Sequence, residues 1–170
     1  MGEIAQQFNG FNSSTFNGNT LTLQYAMKRL MILAGLVFFL TSCSEKKTAV
    51  FTTENGAIDG YDAVAFFTDS AAVKGDKTLS TDWNGATWCF SSQEHLDAFK
   101  ASPEKYAPQY GGYCAYGTAD GHLSPTETDT WTVRDGKLYF NYNQKVKNRW
   151  MQDQDRYIIE ADKNWPGLSQ

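Results

Sequence analysis

Only three cysteines occur in the 170 residues, Cys43, Cys89 and Cys114, and so small a set excludes a disulfide-stapled scaffold. Histidine is scarcer still, with His95 and His122 alone. No C-x-x-C or H-x-x-x-H pair of metal-ligand spacing is present, and no internal repeat recurs at a solenoid period. An excess of positive charge is also missing. Setting aside Glu3, Lys28 and Arg29 leaves 13 basic against 18 acidic residues, a net of −5 from Cys43 onward, which argues against nucleic acid as a partner. No apolar run reaches the roughly 20 residues a membrane span needs; the run over residues 30–40 has about eleven.

What is present is an aromatic share of 15%, high for an acidic domain and concentrated in patterned segments, which reads as core. The length suits one globular domain. Met27-Lys28-Arg29, the apolar residues 30–40 and Thr41-Ser42-Cys43 follow the order of a secretory leader, positive charge first. Leu40-Thr41-Ser42-Cys43 resembles a bacterial lipobox. That resemblance implies an acylated Cys43 as the first mature residue, anchored by its acyl (palmitate-type) chains in the inner or outer membrane. The expected organisation is an upstream extension at 1–26 from a start codon set too early, a lipoprotein signal peptide at 27–42, a polar tether at 43–49 and a domain at 50–168. The domain is then expected in the cell envelope, outside the cytoplasm, with the membrane as its first partner. Lipidation also withdraws one of the three thiols from any account of chemistry.

Along the exported part, residues 50–53 are β-branched and aromatic before Asn55-Gly56 interrupts them, and Ala63-Val64-Ala65-Phe66-Phe67 predicts a short strand or a buried helical turn. Residues 78–83 and 86–90 flank Asn84-Gly85, whose residues accept the positive φ of a two-residue hairpin turn; Asp135-Gly136 between residues 130–133 and 138–140 repeats the device. Ser91 with Glu94 fits a capping box for a helix running to about Lys100, and Pro103 suits the first position of another turn. From Asn143, apolar residues recur at helical spacing through Trp165 until Pro166-Gly167 stops them. The expected fold is α+β: a small antiparallel sheet built from two hairpins, with short helices and a C-terminal helix packed on it.

Asp59-Gly60-Tyr61-Asp62-Ala63-Val64-Ala65-Phe66-Phe67, Phe90-Ser91-Ser92, Phe99 and the stretch from Pro103 to Gly117 resemble the YHS domain family, in its exported bacterial branch. The likeness extends through Asp135-Gly136-Lys137-Leu138-Tyr139-Phe140 to Asn164-Trp165-Pro166, nearly the whole exported part. The resemblance implies an association with transition metals, since short YHS domains accompany heavy-metal transport proteins and carry a cysteine pair. Here Ser91 stands at the first of those cysteine positions and His95 at the second, so the thiolate pair is absent.

Cys114, His122, His95 and Cys89 are the candidate metal ligands, a thiolate and imidazole set suited to Cu or Zn. The alternative is a buried structural Cys114 with His122 on the surface, and Cys89 packed between Trp88 and Phe90 but facing away from both. Cys89 and Cys114 also have the option of pairing in an oxidising envelope. Cys114 with His122 further admits a nucleophile and its base, although no orienting group or oxyanion hole is identifiable. Tyr61, Asp62, Tyr113 and Tyr116 form a candidate small-molecule pocket; the other reading of Asp62 is a buried carboxylate capping backbone amides. Three functions follow: a tethered binding or accessory domain with a metal ion or an envelope protein as partner, a thiol-dependent envelope enzyme, or a structural or partner-binding lipoprotein without ligand.

Overall fold

The computed structural model describes residues 49–170. The upstream extension, the leader, Cys43 and most of the tether lie outside the described residues.

Strands β1 (Thr52–Thr53) and β2 (Gly56–Ala57) form a short antiparallel pair, followed by a 3-10 turn at Ile58–Gly60 and the single helical turn α1 (Ala65–Thr68). Hairpin strands β3 (Asp76–Trp83) and β4 (Ala86–Phe90) lead into α2 (Gln93–Ala101) and α3 (Pro103–Tyr106). A left-handed 3-10 turn at Gln109–Gly112 precedes α4 (Ala115–Ala119). The second hairpin, β5 (Glu127–Arg134) with β6 (Lys137–Asn141), is followed by α5 (Gln144–Trp150) and α6 (Gln154–Leu168).

Both hairpins turn where sequence pattern places them. Asn84 and Gly85 take φ of 51° and 76°, and Asp135 and Gly136 take 50° and 71°, the paired positive φ values of a two-residue turn matched to strand twist. The α+β class holds, but the strands form three separate two-stranded ladders instead of one sheet. Each long hairpin has a register irregularity near its open end, between Asp76 and Ser80 and between Glu127 and Thr132. What joins the hairpins is side-chain burial.

That burial is organised by β6. Leu138 and Phe140 point into a core shared with Phe66, Trp88, Phe90 and Phe99, while Tyr139 points into a second core with Tyr110, Trp150, Tyr157 and Ala161. Period-two alternation thus sends successive residues of one strand into two different cores, and both faces of β6 are apolar. Phe140 meets Phe66 edge-on at 5.3 Å between ring centroids, and Tyr139 meets Trp150 at 5.4 Å.

Three helix boundaries differ from expectation. The α2 cap is Ser92, which accepts the His95 amide at 3.1 Å, because Ser91 is held by Asp62 from 29 residues away. The C-terminal pattern is two helices, since Asp153 leaves helical backbone geometry (φ −154°, ψ 60°) between α5 and α6. Pro166 does not stop α6, which continues to Leu168. Its ring removes one donor close to the helix end, where burial of Tyr157 and Ala161 and the bonds from Asn164 Nδ2 to the carbonyls of Thr118 (3.1 Å) and Ala119 (2.9 Å) already hold α6 against α4.

Candidate functional site

Asp62 is completely buried and its carboxylate is saturated with donors. Oδ1 accepts the amides of Val64 (2.9 Å) and Ala65 (3.3 Å), opening α1; Oδ2 accepts the Ser91 amide (2.8 Å), the Ser91 hydroxyl (2.6 Å) and Nδ1 of His95 (2.7 Å). Burial pushes this carboxyl's pKa up, yet the donors of Ser91, His95 and Val64 outweigh it and the pKa lies below the ordinary carboxylate value. Asp62 therefore pins three segments of chain together as an anion.

His95 is the only ring in this network, and its side chain is 14% exposed. An ionised carboxylate has no proton to give, so Nδ1 donates to Asp62 and Nε2 is the ring nitrogen on the outer side. Nε2 faces Thr68 Oγ1 at 3.2 Å and Asp69 Oδ1 at 3.9 Å, at the end of α1. The helical turn begun by Asp62 thus delivers, one turn later, the oxygens that face His95. Ser91 Oγ lies 3.4 Å from Nδ1, so the two positions that the family resemblance assigns to cysteines are neighbours in space.

Cys114 is the second buried polar centre. Its sulfur accepts the amides of Tyr142 (3.2 Å) and Gly117 (3.4 Å) and lies 3.8 Å from Asn141 Oδ1, while Asn141 Nδ2 is buried without a partner. Burial raises the thiol pKa despite these amides, which keeps the group protonated and a poor nucleophile. Its partners are backbone amides and an amide side chain, not an imidazole. His122 is exposed and covers Gly117: a Cβ there would lie 3.3 Å from His122 Nε2 and 3.1 Å from Ser124 Oγ.

Cys89 is buried on β4 with Asn55 O the nearest acceptor, at 3.9 Å, and burial raises its thiol pKa too. Trp88 and Phe90 both pack on Phe99, on the other face of the strand. Cys89 and Cys114 are both free thiols. The set Cys114, His122, His95 and Cys89 does not assemble: among the described residues no three His, Cys, Asp or Glu side chains converge as metal ligands. His95 is tied to Asp62 in the first core, while Cys114 caps α4 and Cys89 faces β2.

The aromatic members of the candidate pocket occupy separate surroundings. Tyr61 lies under the Lys74 ammonium, 4.3 Å from its ring centroid; Tyr113 packs on Phe51 at 5.6 Å and Tyr116 on Tyr157 at 4.9 Å. Asp62 faces none of them, its oxygens being spent on the amides, Ser91 and His95. The Asp62–Ser91–His95 network itself was not foreseen. Its one signal was the i, i+4 placement of Ser91 and His95 at the family's cysteine positions.

No curated protein and no solved structure matches the chain. The family model described as YHS domain matches residues 64–110, a narrower span than the resemblance suggested. It takes in α1, the first hairpin, Ser91 and His95, and ends at Tyr110, before Cys114 and His122. His95 lies inside the matched span and Cys114 outside it, so the likeness to the YHS domain model is carried by residues 64–110.

Proposed function

We propose that the chain is a lipid-anchored envelope protein whose YHS domain has a binding or accessory role, taking a transition-metal ion, Cu or Zn, on His95. The observation that carries the metal reading is the Asp62–His95 pair. Metal-ligating histidines characteristically donate their second ring N–H to a carboxylate, which fixes the ring and raises its basicity. Asp62 supplies that contact at 2.7 Å from the core side, and Asp69 stands 3.9 Å from Nε2 on the outer side. His95 Nε2 and the Asp69 carboxylate would hold the ion, with water or a partner's donors completing its shell. A binding role is supported over a thiol-dependent enzyme by the chemistry of the cysteines, both buried and both held as thiols.

The envelope location is supported by the leader at 27–42 and the lipobox ending in Cys43. Calorimetric titration of the full chain in detergent with Zn or Cu tests the metal reading. Stoichiometric uptake is expected in wild type and in Cys114→Ala, and its loss in His95→Ala. Wild-type protein that takes up neither ion overturns it and leaves a structural or partner-binding lipoprotein.

A further inference from the structure

A second feature of the domain is a groove of about 210 Å³ lined in part by Trp83 and Trp88. Val50, Pro108, Tyr110 and Trp165 complete its apolar lining. The groove is constructed with some strain. Tyr110 adopts a left-handed backbone (φ 54°, ψ 35°) and is fixed there by its hydroxyl, which donates to Asp162 Oδ1 at 2.9 Å. Trp165 meets Tyr110 edge-on at 5.9 Å, and Trp83 meets Trp88 at 5.8 Å. Trp83 and Trp165 remain half-buried, so two indoles keep exposed surface.

The groove also marks where the chain enters the domain. Val50 lines it, Phe51 donates its amide to Gly111 O at 2.9 Å, and the Ala49 amide donates to Ser169 O at 3.3 Å. Between Cys43 and Ala49 the sequence has only residues 44–48. A fully extended chain of that length reaches about 20 Å. We propose that this tryptophan-lined groove is the face that meets the bilayer, seating in the interfacial layer of a zwitterionic phospholipid membrane; the inference rests on the lipid-anchor reading of Cys43. Indole and phenol rings, apolar in body and polar at one edge, settle at that depth. Among the described residues the only charged one lining the groove is Glu104, which complements a headgroup ammonium, and the acidic balance of the domain disfavours an anionic surface.

The test uses the full chain, processed and reconstituted in phosphatidylethanolamine–phosphatidylcholine vesicles whose acyl chains carry bromine either near the headgroup or near the bilayer centre. Mass spectrometry of the amino-terminal peptide first establishes acylation. Shallow bromine is expected to quench tryptophan emission strongly and deep bromine little, with most of the quenching lost in the double variant Trp83→Phe, Trp165→Phe and retained in Trp131→Phe. Should the double variant not fold, Trp165→Phe alone must reduce it. Acylated protein that is not quenched, or quenched equally in the groove variants, overturns the groove proposal alone. Protein without acyl groups overturns the anchor reading and the groove proposal with it.

Discussion

Asp62 and Cys114 make the same local move in different chemistry. Each is buried, each accepts the amides that open a short helical turn, and each reaches across to a distant segment: Asp62 to Ser91 and His95, Cys114 to Tyr142 and Asn141. They differ in what the second contact carries. The carboxylate is joined to an imidazole whose far nitrogen comes within reach of solvent, whereas the thiol is joined to amides and has no titratable partner. Burial of a charge forces the surrounding chain to supply donors, and one donor here is a ring with a second, outward-facing nitrogen. A neutral thiol imposes no such demand.

The comparison is tested hardest by deleting the acceptors. Asp62→Ala strands the amides of Val64, Ala65 and Ser91 together with the Ser91 hydroxyl and His95, and a loss of about 3–5 kcal/mol is expected in denaturant unfolding. Cys114→Ala strands two amides that had only a weak sulfur acceptor, so about 1–3 kcal/mol is expected. Equal losses would show that charge is not what separates the two centres. Ser92→Ala probes a simpler cap and should cost about 1 kcal/mol, through α2 alone. Ser91→Ala, which removes the hydroxyl bond to Asp62, should exceed it, although sequence pattern makes Ser91 the cap.

The smallest effect concerns a neighbouring carboxylate in the open. Asp59 accepts from Asn55, Lys74 and Thr53, and the Asn55 bond foremost brings its pKa to about 2 from 3.8. A folded pKa below the unfolded one adds stability at higher pH, which is lost as pH falls from about 4 toward 2. Asp59→Asn should flatten that part of the acid unfolding curve relative to wild type, modestly, because the Asp59–Lys74 pair is solvent-screened. An unchanged curve would remove Asp59 from the acid response.

Local chemistry was legible where one short segment decides the outcome. Asn84-Gly85 and Asp135-Gly136 specify their turns by φ preference, and Asn143 caps α5 by accepting the Val146 amide at 2.9 Å. Sequence reading failed where a distant residue intervenes. Ser91 carries a capping signature but is taken by Asp62, and Pro166 looks like a stop but sits in a helix already fastened by Tyr157, Ala161 and Asn164. The strand alternation of Leu138-Tyr139-Phe140 was visible, yet nothing local shows that its two faces serve two cores. For the site, composition singled out His95 and Cys114 as chemistry-bearing residues. Only the fold separates them, giving His95 a carboxylate and Cys114 a set of amides.

The atom proposed to face the metal in this domain is His95 Nε2. Residue-resolved NMR of the full chain during Zn titration tests it directly. The expected result is a large shift of the His95 Nε2 resonance with the Cys114 Cβ resonance unmoved; a shift confined to Cys114, with His95 silent, would contradict it.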